Sequence, residues 1–251
     1  MTAIITTRQT IYRAIYDLTR PLFIKQMAWA FIFGAFAVFT IKANMNYLNT
    51  RYPSSESARP NDYFFDLIEE FNLTKELEVF IPLSDFIGRL QAVLIILIMW
   101  REHFRRVPKL IFLLAAMYML RGFAIVLTPL QQIHPPTETY DVSNFMAQNF
   151  YYGMFFSGHT ASAFILVYFV KGNPLRPLIT AMAIFQVIAL TASRSHYSID
   201  IFGGFFVAYF FTHFDFMCLV PKSLRNIAWM PWYTGAEVEV DKKTKLNRLP
   251  I

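Results

Sequence analysis

The sequence predicts an all-α membrane protein with six transmembrane helices and both termini on the cytoplasmic side. Three observations carry that prediction. The chain is 55% hydrophobic and only 16% charged, with 27 Phe and 13 Tyr among its 251 residues; a soluble globular domain carries about 25% charged residues. Its apolar residues gather into runs, several of them near the length of about 20 residues that a bilayer crossing calls for. Basic segments then alternate with acidic or neutral ones between those runs, as the positive-inside rule requires.

The same composition excludes other classes. The formal charge is +6, but the basic residues sit in short blocks and form no single stripe, so nucleic acid is not an expected partner. The single Cys218 lies in a late apolar run, which rules out an intramolecular disulfide or a cysteine metal cluster. No small-residue cleavage site follows the first apolar run, so that run is read as a retained span. The sequence carries no signal of oligomeric state.

Residues 1–26 form a cytoplasmic N-terminal segment with Arg8, Arg13, Arg20 and Lys25 against Asp17. Ile4, Ile5, Ile11, Tyr12, Ile15 and Leu18 fall near helical spacing, so the segment reads as an amphipathic helix on the inner surface. A six-span domain follows over 27–220. Span 1 is Met27–Lys42. Residues 44–82 hold three basic and seven acidic residues, and 62–71 within them have a helix-like apolar face suited to the interface. Span 2 is Leu83–Trp100, with Asp85 at its start and Arg89 inside.

Arg101, Arg105, Arg106 and Lys109 make the next basic block. Span 3 is Leu110–Leu130 and contains Arg121. Residues 131–154 have no Lys or Arg, only Glu138 and Asp141. Span 4 is His159–Val170, Lys171 and Arg176 mark a short basic loop, span 5 is Leu178–Ala192, and span 6 is Ile199–Val220. Spans 4 and 5 are short, and the charge alternation decides them. The basic tail 221–251 has six basic and three acidic residues and is cytoplasmic. Lys242, Lys243 and Lys245 in it suit anionic lipid.

Two polar islands interrupt the last three spans: Phe156-Ser157-Gly158-His159-Thr160 and Ser193-Arg194-Ser195-His196-Tyr197-Ser198-Ile199-Asp200. Ionisable groups near lipid are expensive and call for a reason. With six spans and the N-terminus inside, Asp85, Thr128-Pro129, His159 and His196 all fall at the outer face, and Arg121 lies about two turns deeper.

His196 and Asp200 are four apart and share a face if helical. The carboxylate then accepts from one imidazole nitrogen and leaves the other free to attack, so His196 is a candidate nucleophile. Ser157 and Gly158 stand where a helix should begin, a place that favours phosphate. His159 is the candidate general acid, and Arg121 the candidate partner of phosphate oxygens.

Other readings stand beside these. Arg121 also fits a structural ion pair, with Asp85 as one partner. Arg194 fits either a phosphate contact or an interfacial anchor, and Asp85 fits either the site or a helix cap. Tyr197 is a further candidate by position. His103, His134 and His213 are read as packed or interfacial. Asn72-Leu73-Thr74 has the pattern of a glycosylation acceptor.

Ser157-Gly158-His159-Thr160 followed by His196-Tyr197-Ser198-Ile199-Asp200 resembles the second and third motifs of the type 2 phosphatidic acid phosphatase superfamily. The form H-Y-S-x-D is similar to the sphingomyelin synthase-like branch. Pro82-Leu83-Ser84-Asp85 resembles that branch's P-L-P-D segment. Tyr118-x-x-Arg121 with Thr128-Pro129 resembles its third-span motif.

The resemblance spans about residues 27–215. It implies a double displacement that needs no metal or cofactor: His196 attacks phosphorus, His159 protonates the departing alcohol, and an acceptor hydroxyl or water completes the transfer. Membrane lipids would be donor and acceptor. The branch analogy implies a lipid phosphotransferase. A lipid phosphate phosphatase using water and a non-catalytic lipid-binding membrane protein are the alternatives. A bacterial inner membrane and a eukaryotic secretory-pathway membrane both fit.

Three departures shape this reading. The broad superfamily's opening K-x6-R-P string is absent. Arg194 stands two residues ahead of His196, where the superfamily has an Arg six ahead. Tyr152-Gly153-Met154-Phe155-Phe156 replaces the Cys-Gly-Asp stretch of choline-transferring members.

Overall fold

The computed structural model describes residues 18–51, 62–71, 80–102, 104–128, 130–131, 152–154, 156–193 and 195–213. Arg194, Pro129, the N-terminal residues 1–17 and the tail from 214 onward lie outside them, as do Asn72-Leu73-Thr74, His103, His134 and Cys218. The amphipathic N-terminal helix and the basic tail expected from sequence fall there too.

Seven helices and one small strand pair make up the described fold. In chain order they are α1 (Pro21–Arg51), α2 (Tyr63–Glu70), α3 (Phe80–Glu102), α4 (Val107–Leu127), β1 (Leu130–Gln131), β2 (Tyr152–Met154), α5 (Gly158–Phe169), α6 (Arg176–Ala192) and α7 (Ser198–His213). A single 3-10 turn, Phe104–Arg106, joins α3 to α4. Pro21, Pro108 and Pro177 sit at helix starts, where a missing N–H costs no helical bond.

Among the described residues, three helical stretches are long and apolar enough to cross a membrane: Pro21–Leu48, Pro82–Trp100 and Val107–Leu127. Helix α1 starts at Pro21, ahead of the apolar run at Met27, because Leu22, Phe23 and Ile24 extend it and Pro21 opens it. Helices α5 and α6 are apolar but shorter, with 12 and 17 residues. At 1.5 Å per residue α5 is about 18 Å long.

Helix α5 occupies the centre of the bundle. Ala161, Ala163, Ile165, Leu166 and Val167 are all buried, packed among α3, α4, α6 and α7. The outward faces carry Phe31, Phe36, Phe39, Ile96, Leu97, Phe206 and Tyr209, all exposed, as lipid-facing positions would be.

Polar groups stitch the helices where the sequence is otherwise greasy. Buried Gln91 of α3 donates from Nε2 to the Ala163 and Ile179 carbonyls, each at 3.2 Å, and so ties α3 to α5 and α6. Gln186 of α6 donates to the Ser84 carbonyl of α3 at 3.3 Å. Asn44 of α1 donates to the Gly122 carbonyl of α4 at 2.8 Å. Interhelical bonds of this kind hold apolar helices that have no hydrophobic drive to associate in lipid.

The segment after α4, read from sequence as a neutral connection, returns as an antiparallel pair. Leu130 pairs with Met154 and Gln131 with Tyr152. This pairing brings the end of α4 beside the start of α5.

Helices α5 and α7 approach each other at Gly204. A methyl added there would lie 2.8 Å from the Ser157 carbonyl oxygen and 2.8 Å from Thr160 Cβ, so the backbones themselves would have to part. Gly204→Ala is therefore expected to destabilise the fold by about 1–3 kcal/mol. Gly34→Ala, where nothing lies within 4 Å, is expected to leave stability unchanged or slightly raised. Thermal unfolding of the two variants in the same detergent checks the contrast.

Candidate active site

Ser157 is the N-cap of α5. Its backbone is extended (φ −68°, ψ 112°), and its Oγ accepts from the Thr160 N–H at 3.2 Å. Its own N–H donates to the Asp200 carbonyl at 2.8 Å, which joins the first polar island to the second. Both Ser157 and Thr160 are fully buried. The helix start expected at Ser157-Gly158-His159 is where the structure has it.

The second island turns back on α6 before α7 begins. The Ser195 N–H donates to the Leu190 carbonyl at 3.1 Å, and the Ser193 and Ser195 hydroxyls share a hydrogen bond of 2.7 Å. His196 lies in this turn, and Asp200 in the first turn of α7. The pair therefore meets across a helix start and does not ride on one helix face, as simple four-residue spacing had suggested.

His196 Nδ1 lies 3.6 Å from Asp200 Oδ2. That is beyond hydrogen-bond length, but close enough for the carboxylate to act on the ring, and apo catalytic contacts commonly tighten with substrate. The same Oδ2 accepts from the Tyr197 N–H at 3.2 Å. With Nδ1 turned to the carboxylate, Nε2 is the free nitrogen of His196. Tyr197 is itself buried.

His159 completes a histidine pair. The two ring centroids are 6.0 Å apart at 63°. His159 Nε2 lies 3.2 Å from Asp85 Oδ1, and the two side chains are 44% and 43% exposed. Those of His196 and Asp200 are 7% and 0% exposed. One acid–histidine pair is thus nearly half exposed and the other is buried. Asp85 lies inside α3, which begins at Phe80, so it is not a helix cap.

Arg121 lies under Gly158. A Cβ at Gly158 would sit 2.7 Å from Arg121 Nη1 and 3.2 Å from Tyr118 Cε1. Only a glycine lets the start of α5 settle onto that guanidinium. Arg121 also lies within electrostatic reach of Asp200 and His196.

The structure thus brings together His159, His196, Asp200, Arg121, Ser157, Gly158, Asp85 and Tyr197. Arg194 lies outside the described residues. Sequence reasoning missed Asp62, which bonds to Ser198; its signal was only an acid ahead of a short apolar-faced helix. Among the described residues no group of three or more His, Cys, Asp or Glu is placed to hold a metal.

Residues 153–217 match the family model described as PAP2 superfamily C-terminal. The match supports the PAP2 superfamily. Members of that superfamily are typically phosphatases and phosphotransferases, which is consistent with an enzyme. The matched stretch contains both polar islands and the whole of α5, α6 and α7. No curated protein matches the chain.

Burial holds the His196 imidazole below its ordinary value, against the opposing pull of Asp200. A histidine-selective NMR titration is thus expected to place its midpoint below about 6.5. The unfolded chain then binds this proton more tightly than the folded one. Stability is expected to fall as pH drops through the ordinary histidine range, until the folded midpoint is passed. A second expectation concerns Gly158→Ala. Its methyl displaces the flexible guanidinium and leaves the helix in place, so turnover should drop by up to about 10²-fold with normal folding. Turnover per folded molecule in micelles measures this.

Proposed function

We propose that the protein is a multi-pass lipid phosphotransferase that moves a phosphoryl-linked head group between membrane lipids through a phosphohistidine. The observation that carries this is the sealed His196–Asp200 pair beside the open His159–Asp85 pair at the start of α5.

In the first half-reaction the free Nε2 of neutral His196 attacks phosphorus. An N–P bond forms, the P–O bond to the lipid alcohol breaks, and His159 gives its proton to the departing oxygen. Asp200 stabilises the cationic imidazole. In the second half His159 takes the proton of an acceptor hydroxyl, whose oxygen attacks phosphorus, and the N–P bond breaks. Acid–base help of this sort contributes about 10²–10⁴ in rate. Arg121 faces the developing charge, and the α5 N-terminus offers backbone N–H groups to the phosphate oxygens.

Six crossings with both termini cytoplasmic accord with the basic blocks and put the site on the luminal or periplasmic side. The resemblance of His196-Tyr197-Ser198-Ile199-Asp200 to the sphingomyelin synthase-like branch supports a lipid alcohol as acceptor. The missing K-x6-R-P string argues against a plain phosphatidate phosphatase.

The test uses purified protein in micelles and a lipid labelled in its head-group phosphate, with and without ceramide or diacylglycerol. Label should appear in a new lipid, depend on the acceptor, and vanish in His196→Ala. Label released only as water-soluble phosphate would instead make the enzyme a phosphatase or lipase, and full activity in His196→Ala would remove the chemistry altogether. Asp200→Asn is expected to lower kcat by about 10²–10⁴-fold with little change in KM, since it acts through His196.

A further inference from the structure

We propose that Asp62 is a positioning residue for His196, acting by clamping the start of α7; this rests on His196 being the attacking group. Asp62 lies 136 positions from Ser198 in the chain, yet both of its carboxylate oxygens are engaged there. Oδ2 accepts from the Ser198 N–H at 2.6 Å and Oδ1 from the Ser198 hydroxyl at 3.0 Å. Its own backbone carbonyl accepts from the Phe65 and Asp66 N–H groups at 2.9 and 3.2 Å, so the same residue opens α2.

The local sequence explains why α7 needs help from so far away. The residue before the helix is Tyr197, which has no side-chain acceptor suited to the first helical N–H groups. Asp200 reaches back to the Tyr197 N–H, and Asp62 takes the Ser198 N–H. A carboxylate there also suits the positive end of the helix.

Phe65, in the first turn of α2, is buried and packs its ring on Tyr197 with centroids 5.4 Å apart. Helix α2 therefore grips Tyr197 and Ser198, the two residues that follow His196 and lead to Asp200. Release of that grip frees the turn that sets the imidazole against its carboxylate.

Among the described residues, the charged and titratable groups facing His196 are Asp200 of α7, Arg121 of α4, His159 of α5 and Asp85 of α3. Asp62→Ala leaves all four in place. The full chain is measured in micelles by histidine-selective NMR, with the His196 signal assigned through His196→Ala. In Asp62→Ala the His196 midpoint is expected to rise toward the ordinary value, as the turn opens to water. Ser198→Ala keeps the backbone donor and should shift the midpoint the same way by less. If Asp62→Ala does not fold, Asp62→Asn, which loses one acceptor oxygen and the charge, carries the same reading.

In the transfer assay kcat should fall by roughly 10–100-fold with KM within about twofold. An unchanged His196 midpoint overturns the inference whatever the activity does. So does a loss of activity carried by KM or by the share of folded protein alone. The titration needs no substrate, so it stands apart from the reaction assigned above, which fails instead if His196→Ala retains turnover.

Discussion

One backbone hydrogen bond joins the two polar islands of the candidate site: the Ser157 N–H to the Asp200 carbonyl, at 2.8 Å. It couples the start of α5 to the start of α7 and so fixes the distance between the two histidines. Close approach is a condition for it. Gly204 provides that condition, since any side chain there would meet the Ser157 carbonyl and Thr160. The strand pair and Gly158 perform the matching task on the other side, seating the start of α5 on Arg121. Small residues at two crossings thus decide where the polar groups meet.

The two acid–histidine pairs are chemically alike and differ in surroundings. His196 and Asp200 are buried, where a charge without a partner is costly, and the carboxylate lies within reach of both the imidazole and Arg121. His159 and Asp85 are nearly half exposed. Desolvation favours the neutral form of the first histidine, which the proposed attack on phosphorus calls for, while the exposed second one suits the proton-transfer role proposed for it. Unequal environments for like groups are how a single site divides acid from base roles.

Most of the helical plan was legible because apolar runs and their punctuation are local. The starts of the helices at Phe80, Val107, Gly158 and Ser198 fall within a few residues of where charge and hydropathy placed them. The connection between α4 and α5 was not legible, since a strand pair of two and three residues has too little pattern to show. Gln91 and Gln186 were visible as polar residues in apolar spans, but their partners are backbone carbonyls of other helices. Carbonyls carry no sequence signature.

The sequence by itself determined the residue types of the site and the order in which they occur, because histidine, aspartate and arginine in greasy surroundings demand a reason wherever they lie. It also set the helix starts, through proline, serine and the edges of apolar runs. Only the tertiary structure decided which acid serves which histidine. It alone showed that His196 meets Asp200 across a helix start, that Asp85 belongs to His159, and that Asp62 reaches Ser198. Those choices depend on distances of a few ångströms between segments far apart in the chain, and such distances are set by side-chain packing and helix crossings, which no local pattern records.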